Sequence, residues 1–285
     1  MKVGITGGSG VLGKVLIDNI KDIEWINFNG DISDIHFVNN WINTNNTLDA
    51  IIHLAAIVSN ADAISNPSRT IEVNVVGTTN LLQSIGLSNK IITKPWIFIA
   101  SSAHVYLPSH NRLQESSQLG PISLYGMSKL QAEQISKICS ELYGLKICIG
   151  RICSFTSYNQ PKSFLIPALI EKISNSPKNS KLFIPGLMGI RDFLSIYDIC
   201  SAIEILLLKM ETGTYNISSG KPVKLIELAF KIRDRLKRND LIIETNPDNE
   251  ISLVLDNTKL VNAGFIPKSD MEKVLNEIIC SKNIC

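Results

Sequence analysis

The sequence is poor in the features that announce several common kinds of protein. Charge of one sign is missing: 28 Lys and Arg stand against 26 Asp and Glu, a formal charge of +2. There is thus no basic field for nucleic acid or for an anionic membrane. Long hydrophobic runs are missing too. The longest, Ile199 to Met210, is interrupted by Glu204 and Lys209 and falls short of the roughly 20 residues that span a bilayer. The apolar N-terminal stretch is broken by glycines and Lys14, unlike the continuous apolar core of a secretory leader. The six cysteines, Cys139, Cys148, Cys153, Cys200, Cys280 and Cys285, show no paired metal-ligand spacing. They read as reduced thiols of a cytoplasmic protein, and no metal site is expected. No internal repeat or low-complexity linker is visible. What remains is 285 residues with 45% hydrophobic content, which suits one principal domain with a smaller attached lobe.

What is there begins at once. Met1 to Ile5 reads as a buried strand; Gly7, Gly8, Gly10 and Gly13 follow, and Val11 to Ile20 leaves with helical periodicity. These are the parts of a nucleotide-binding first crossover. Glycine reaches backbone angles closed to other residues and lets the main chain approach a pyrophosphate at the helix N-terminus. The spacing between Gly7 and Gly10 is one residue wider than the usual dinucleotide fingerprint, and a ligand-free tight turn is the alternative reading. Glu24 to Gly30 reads as the second strand. Asp31 lies about where an acid holding the adenosine ribose belongs, but it also reads as a turn or N-cap residue before Ile35 to Ile42, so NAD and NADP both stay open.

Ala50 to Ala56 is a third strand, ending in small residues that leave room for a cofactor. A helix is expected over 67–87, a strand over 96–101 leading to Ser101-Ser102, a helix over 123–143 and a strand over 146–152. This alternation predicts an α/β fold, a Rossmann-like doubly wound parallel sheet. Beyond Arg151, residues Tyr158, Asn159, Pro161, Pro167, Pro177 and Pro185 break the pattern into short pieces, which predicts a smaller C-terminal substrate-binding lobe. Helices are expected again over 196–210 and 223–236, with a strand over 214–217 between them. Residues 1–153 together with 190–218 are assigned to the dinucleotide-binding domain, and 154–189 with 219–285 to the lobe.

Tyr125 and Lys129 stand at i and i+4, one turn apart on one helical face. A nearby ammonium and a nicotinamide cation would lower the phenol from its usual pKa of roughly 10, which suits proton exchange with a sugar hydroxyl or a ketone. The spacing alone is common and has a structural reading as well. Ser102, at the end of a strand on the ligand edge of the sheet, can bond the same oxygen that Tyr125 protonates; a cap or turn is its plain alternative.

Stretches along nearly the whole chain carry a family resemblance: Thr6 to Gly13, His53-Leu54-Ala55-Ala56, Asn74 with Gly77, Thr78 and Asn80, Ser101-Ser102 with Tyr106, Tyr125-x-x-x-Lys129, Arg151, Arg191-Asp192-Phe193, and Tyr215-Asn216 with Ser219-Gly220. On these residues the chain resembles the extended short-chain dehydrogenase/reductase superfamily, in its sugar-nucleotide epimerase/dehydratase/reductase branch. The resemblance implies NAD or NADP, with Gly7, Gly10, Val11, Leu12, Asp31, Ile32, Leu54, Ala55, Ala56, Tyr125 and Lys129 on the cofactor side. It implies a catalytic triad of Ser102, Tyr125 and Lys129, Lys129 also holding the nicotinamide ribose. Ser102, Ala103, His104, Ser154 and Arg191 would face the substrate. A guanidinium fork suits a diphosphate, so Arg191 is expected on the nucleotide phosphates, with a surface ion pair as the alternative.

Departures from the family pattern bear on the reaction. Its dehydratases carry Asp-Glu directly after the catalytic hydroxyl residue, where this chain has Ala103-His104, which argues against 4,6-dehydration. The related epimerase-reductase that makes GDP-fucose has an acid/base cysteine where His104 stands, so His104 is either an acid/base group near neutral pH or a structural histidine. That enzyme's second histidine has no counterpart over 154–164, and Ser154 replaces an expected asparagine. The resemblance therefore implies an NAD(P)-dependent oxidoreductase acting on a nucleotide-activated, 6-deoxy or 4-keto hexose, by 4-keto reduction. A 4-epimerase with bound NAD and a reductase of small non-nucleotide carbonyls are the alternatives. The helices over 67–87 and 123–143 would pack against their copies in a homodimer. The expected partner is a nucleotide sugar, with no nucleic acid and no membrane.

Overall fold

The structure, a computed structural model, describes residues 1–157, 159–247, 251–268 and 271–281. Tyr158, Cys285 and the Cys280 side chain lie outside the described residues. β1 (Lys2–Thr6) turns into α1 (Val11–Asn19), followed by β2 (Glu24–Asn27), α2 (Ile35–Thr44) and β3 (Ala50–His53). Next come α3 (Asn60–Ser65), α4 (Pro67–Ile71), a π-helical turn (Glu72–Val76) and α5 (Gly77–Leu87). β4 (Trp96–Ser102), a 3₁₀ turn (Ala103–Val105), α6 (Leu124–Tyr143) and β5 (Ile147–Ile152) complete this half. The rest runs β6 (Ser154–Thr156), α7 (Leu165–Asn175), β7 (Lys181–Phe183), β8 (Ile190–Ser195), α8 (Ile196–Leu208) and β9 (Gly213–Ile217). It ends with β10 (Pro222–Lys224), α9 (Leu225–Arg235), β11 (Ile242–Glu244), β12 (Ser252–Leu253), α10 (Thr258–Asn262) and α11 (Met271–Ser281).

Six strands pair in parallel in the order β2-β1-β3-β4-β5-β9. The inner strands β3 and β5 are buried at every position, as a parallel sheet covered on both faces requires. α1 and α8 close one face, in a core containing Leu16, Ile52, Phe98, Ile203 and Leu206. α2, α5 and α6 close the other, through Trp41, Ile51, Leu81, Ile85 and Ile97. Each such side chain contributes about 1.5–3 kcal/mol by leaving water. The winding reverses between β1 and β3, and in such sheets a ligand crevice opens beyond the strand ends at that reversal. The expected doubly wound α/β sheet is thus present.

The second half builds a separate core. α7, α9 and α11 pack Leu169, Ile170, Leu228, Ile232 and Leu275 around the parallel β7–β11 pair. A small sheet of order β10-β8-β12, with β6 also on β8, joins this lobe to the large sheet. Within 190–218, β8 pairs with β6, β10 and β12, whereas β9 pairs with β5 in the large sheet. Val223, expected in a helix, lies in β10 opposite Arg191. The helix expected over 67–87 widens into the π turn, where Asn74 bonds outside the helix. α2 is capped by Asp34, which accepts from the His36 N–H at 2.8 Å, so Asp31 is not its N-cap. Cys139, Cys148, Cys153 and Cys200 are free and buried.

Candidate active site

The glycine turn shows why it needs glycine at two positions. Gly7 has φ +74° and lies against the Leu54-Ala55 backbone, where an added Cβ would come within 2.7 Å of the Ala55 nitrogen. At Gly13 a Cβ would stand 2.4 Å from the Gly7 carbonyl oxygen, so α1 starts hard against the turn. Gly10, the α1 N-cap, offers no side-chain acceptor, and Val11 and Leu12 open the helix. Its first N–H groups are left for an anion, the arrangement in which helix N-termini hold phosphates. A cleft of about 400 Å³ runs from Gly7 and Ser9 past Ala55 and Ile32 to Asp31 and Arg69. Leu54 and Ala56 flank Ala55 in the coil beyond β3. His53 is fixed beneath, with Nδ1 2.6 Å from Thr6 Oγ1 and Nε2 3.1 Å from Thr78 Oγ1. A dinucleotide fits these residues: bare backbone and a helix end at one side, polar groups at the other.

α6 carries the second group of residues. Ser123 caps it through the Gly126 N–H at 3.1 Å, and Gly126 is pressed onto the 3₁₀ turn, where a Cβ would lie 2.3 Å from the His104 carbonyl oxygen. That contact brings Tyr125 beside Ser102, whose side chain acts on the phenol. Lys129, buried one turn further on, donates from Nζ to the Ala100 carbonyl at 2.8 Å. Burial pushes Tyr125 up and the Ser102 hydrogen bond opposes it. Burial also pushes Lys129 down to about 8, with Glu133 pulling the other way.

His104 completes this cluster. Its backbone N–H donates to Ser102 Oγ at 3.2 Å and its ring meets the Tyr125 ring edge-on at 5.9 Å. Burial, and then the charge of Arg191, push it down to about 4, so it is a neutral imidazole at pH 7 rather than one poised near neutrality. Arg191 donates from Nη1 to the Ile190 and Ile251 carbonyls. Burial lowers its pKa, and no carboxylate among the described residues forms an ion pair with it. Ser154 pairs across β6 and β8 with Phe193, two residues from Arg191, and Ala103 is buried in the 3₁₀ turn. Asp192 accepts from the Ser219 N–H, the Ser219 hydroxyl and the Gly220 N–H at 3.0, 2.6 and 2.8 Å, which ties the turn after β9 to β8.

Two pairings escape sequence reasoning, although Arg151 and Asp31 each stand out in it singly. Beneath Ser102, Arg151 and Glu133 form an ion pair at 2.7 Å with side chains 1% and 0% exposed. The carboxylate also accepts from Ser101 Oγ, and the guanidinium donates to the Tyr106 hydroxyl at 2.8 Å. Glu133 follows Lys129 by one helical turn, and that spacing was the available signal. At the cleft rim, Arg69 donates to Asp31 Oδ2 at 2.6 Å, to Ser33 Oγ at 2.8 Å and to Glu72 Oε2 at 3.1 Å. Nothing local in the sequence marks it. The π turn links rim and helix. Asn74 donates to the Ile57 carbonyl and to Ser128 Oγ, both at 2.9 Å, and Ser128 donates to the Tyr125 carbonyl at 2.7 Å.

RMD of Pseudomonas aeruginosa, solved with NADPH, superposes with a TM-score of 0.86 at 24% identity, covering 98% of this chain and 97% of that one. The GDP-6-deoxy-D-talose 4-dehydrogenase of Aggregatibacter actinomycetemcomitans is 29% identical, with 92% of this chain and 90% of that protein covered. The GDP-6-deoxy-D-mannose reductase of Pseudomonas aeruginosa is 30% identical over 65% of this chain and 62% of its own length. Relatives of this kind are nucleotide-sugar reductases, dehydratases and epimerases, and structural neighbours are solved with NAD or NADPH. A model of the family described as GDP-mannose 4,6-dehydratase matches residues 5–263. The chain belongs to that family, within the NAD-dependent epimerase/dehydratase group of extended short-chain dehydrogenases/reductases.

Proposed function

We propose that the protein is an NAD(P)-dependent oxidoreductase that reduces the C4 ketone of a nucleotide-activated hexose. The observation that carries this reading is the closeness of Tyr125 to the Ser102–His104 turn, with Lys129 one turn away bonded to the Ala100 carbonyl, beside a glycine cradle fit for a dinucleotide. A reduced nicotinamide dinucleotide, held by the Gly7–Gly13 turn and by Lys129, would supply the hydride. Tyr125 gives its phenolic proton to the ketone oxygen as that oxygen gains charge, and Ser102 donates to the same oxygen and orients it. The raised phenol pKa favours the protonated form that reduction requires. Lys129 holds positive charge behind the phenol, and Arg191 binds the substrate's phosphates. The 3₁₀ turn offers Ala103 and His104 but no carboxylate, which speaks against 4,6-dehydration.

Turnover separates the readings. A nucleotide 4-keto sugar given with NADH or NADPH should consume nicotinamide absorbance in proportion to product. Isomerised sugar without cofactor loss would replace reduction by 4-epimerisation, the activity named for several relatives. Activity that persists in Arg191→Ala would point to a small carbonyl without a nucleotide. A homodimer completes the proposal. Met127, Ile138 and Leu142 recur on one side of α6 and are 41%, 62% and 68% exposed, an apolar strip suited to a second copy. Size-exclusion chromatography with light scattering should give twice the chain mass, and a monomer would remove this part.

A further inference from the structure

The choice between NAD and NADP turns on charge at one rim of the cleft. NADP differs by a 2′-phosphate on the adenosine ribose, a group carrying about −1.5 to −2 charges at pH 7. Proteins that accept it offer a cation there, whereas those that prefer NAD offer an acid. Arg69 is the one cation among the described residues that line this cleft, and it is already engaged. Its guanidinium bonds Asp31, Ser33 and Glu72 together, so two carboxylates face one cation and the rim is left one charge negative. The neighbouring lining positions, Ser9, Phe28 and Gly30, are uncharged.

We propose that this rim selects NAD(H) over NADP(H), with Arg69 as a specificity residue kept from a phosphate by Asp31 and Glu72. The inference rests on the dinucleotide reading of the cleft given above. One net negative charge about 6 Å from a phosphate dianion weakens binding roughly tenfold even at a water-like dielectric. A phosphate that reached Arg69 through its remaining N–H groups, at Nε and Nη2, would still face the Asp31 and Glu72 carboxylates. A neutral donor meets no such obstacle. Ribose hydroxyls or an adenine amine can donate to the Asp31 carboxylate while Arg69 stays in place, since a carboxylate has about four acceptor sites.

Direct binding tests this without turnover. Calorimetric titration of the full chain should give NAD+ an affinity about tenfold or more above that of NADP+, and the gap should narrow from low to high salt as the rim is screened. Glu72→Gln removes the surplus charge from an exposed position and should bring NADP+ several-fold closer to NAD+. Equal or tighter binding of NADP+ by the natural chain, or an unchanged ratio in Glu72→Gln, would overturn the inference and leave the proposed reaction intact. A chain that bound neither dinucleotide would overturn both.

Discussion

Two arginine–carboxylate pairs stand at opposite ends of the candidate site, and the contrast between them separates what holds the site from what recognises a ligand. Arg151 and Glu133 lie under the reacting end with side chains 1% and 0% exposed. Every partner they use is internal: Ser101, Tyr106, the Glu115 carbonyl and each other. Burial alone would lower the guanidinium's pKa, but bonding to Glu133 outweighs it and raises it. Arg69 and Asp31 make a pair of similar length at the rim, with side chains 37% and 40% exposed. There the hydrogen bonds of Ser33 are the main reason the Asp31 carboxyl lies below its ordinary value. Water screens the rim pair, so it adds little to stability and is free to act on what enters the cleft. The buried pair cannot meet a ligand and instead fixes β4, β5 and α6 relative to one another.

Substitutions at the two ends should therefore differ in kind as well as size. Tyr125→Phe removes the proton donor and should lower kcat by about 10²–10⁴ with the melting transition preserved; retained turnover would dislodge Tyr125 from the reaction. Glu133→Gln leaves Arg151 charged and buried without its counter-ion, which typically costs about 3–5 kcal/mol. Urea unfolding would read that loss, and a cost under about 1 kcal/mol would erase the distinction between the pairs.

A third effect is set by pH. Lys129 titrates near 8 in the folded chain and at its ordinary 10.5 when unfolded. The unfolded chain therefore binds more protons between those values, and stability from this group rises with pH across that window. Activity that depends on the ammonium should fall as pH passes about 8, whereas His104, neutral down to about 4, should add no inflection between pH 6 and 7; kcat/KM against pH would show both. The smallest effect belongs to the rim. Arg69→Ala should change stability by less than about 1 kcal/mol while altering the ratio of NAD+ to NADP+ binding, and a large loss of stability would make the rim pair structural like the buried one.

Much of this was legible in the sequence, for reasons that stop at definite points. The glycine turn is local chemistry, and β1, β3, β4 and β5 are strings of apolar residues long enough to read. Tyr125 and Lys129 share a helix, so their spacing carries their geometry. Arg69 and Asp31 are 38 residues apart and meet only because α4 starts beside the coil after β2. The π turn contains no Gly or Pro to mark it. Its reason is Asn74, which reaches across to Ile57 and Ser128. In the lobe, β6, β7, β10, β11 and β12 have only two or three residues each, too few for a period to register. That is why Val223 read as helix.

Gly126, pressed against the carbonyl of His104, has a consequence for how such a protein can change. The spacing of serine from tyrosine is gauged by main chain on main chain, with no side chain between them to lengthen or shorten. Exchanges in the lobe can remodel what is grasped without retuning that interval, and one added methyl at Gly126 would reset it whatever the lobe holds.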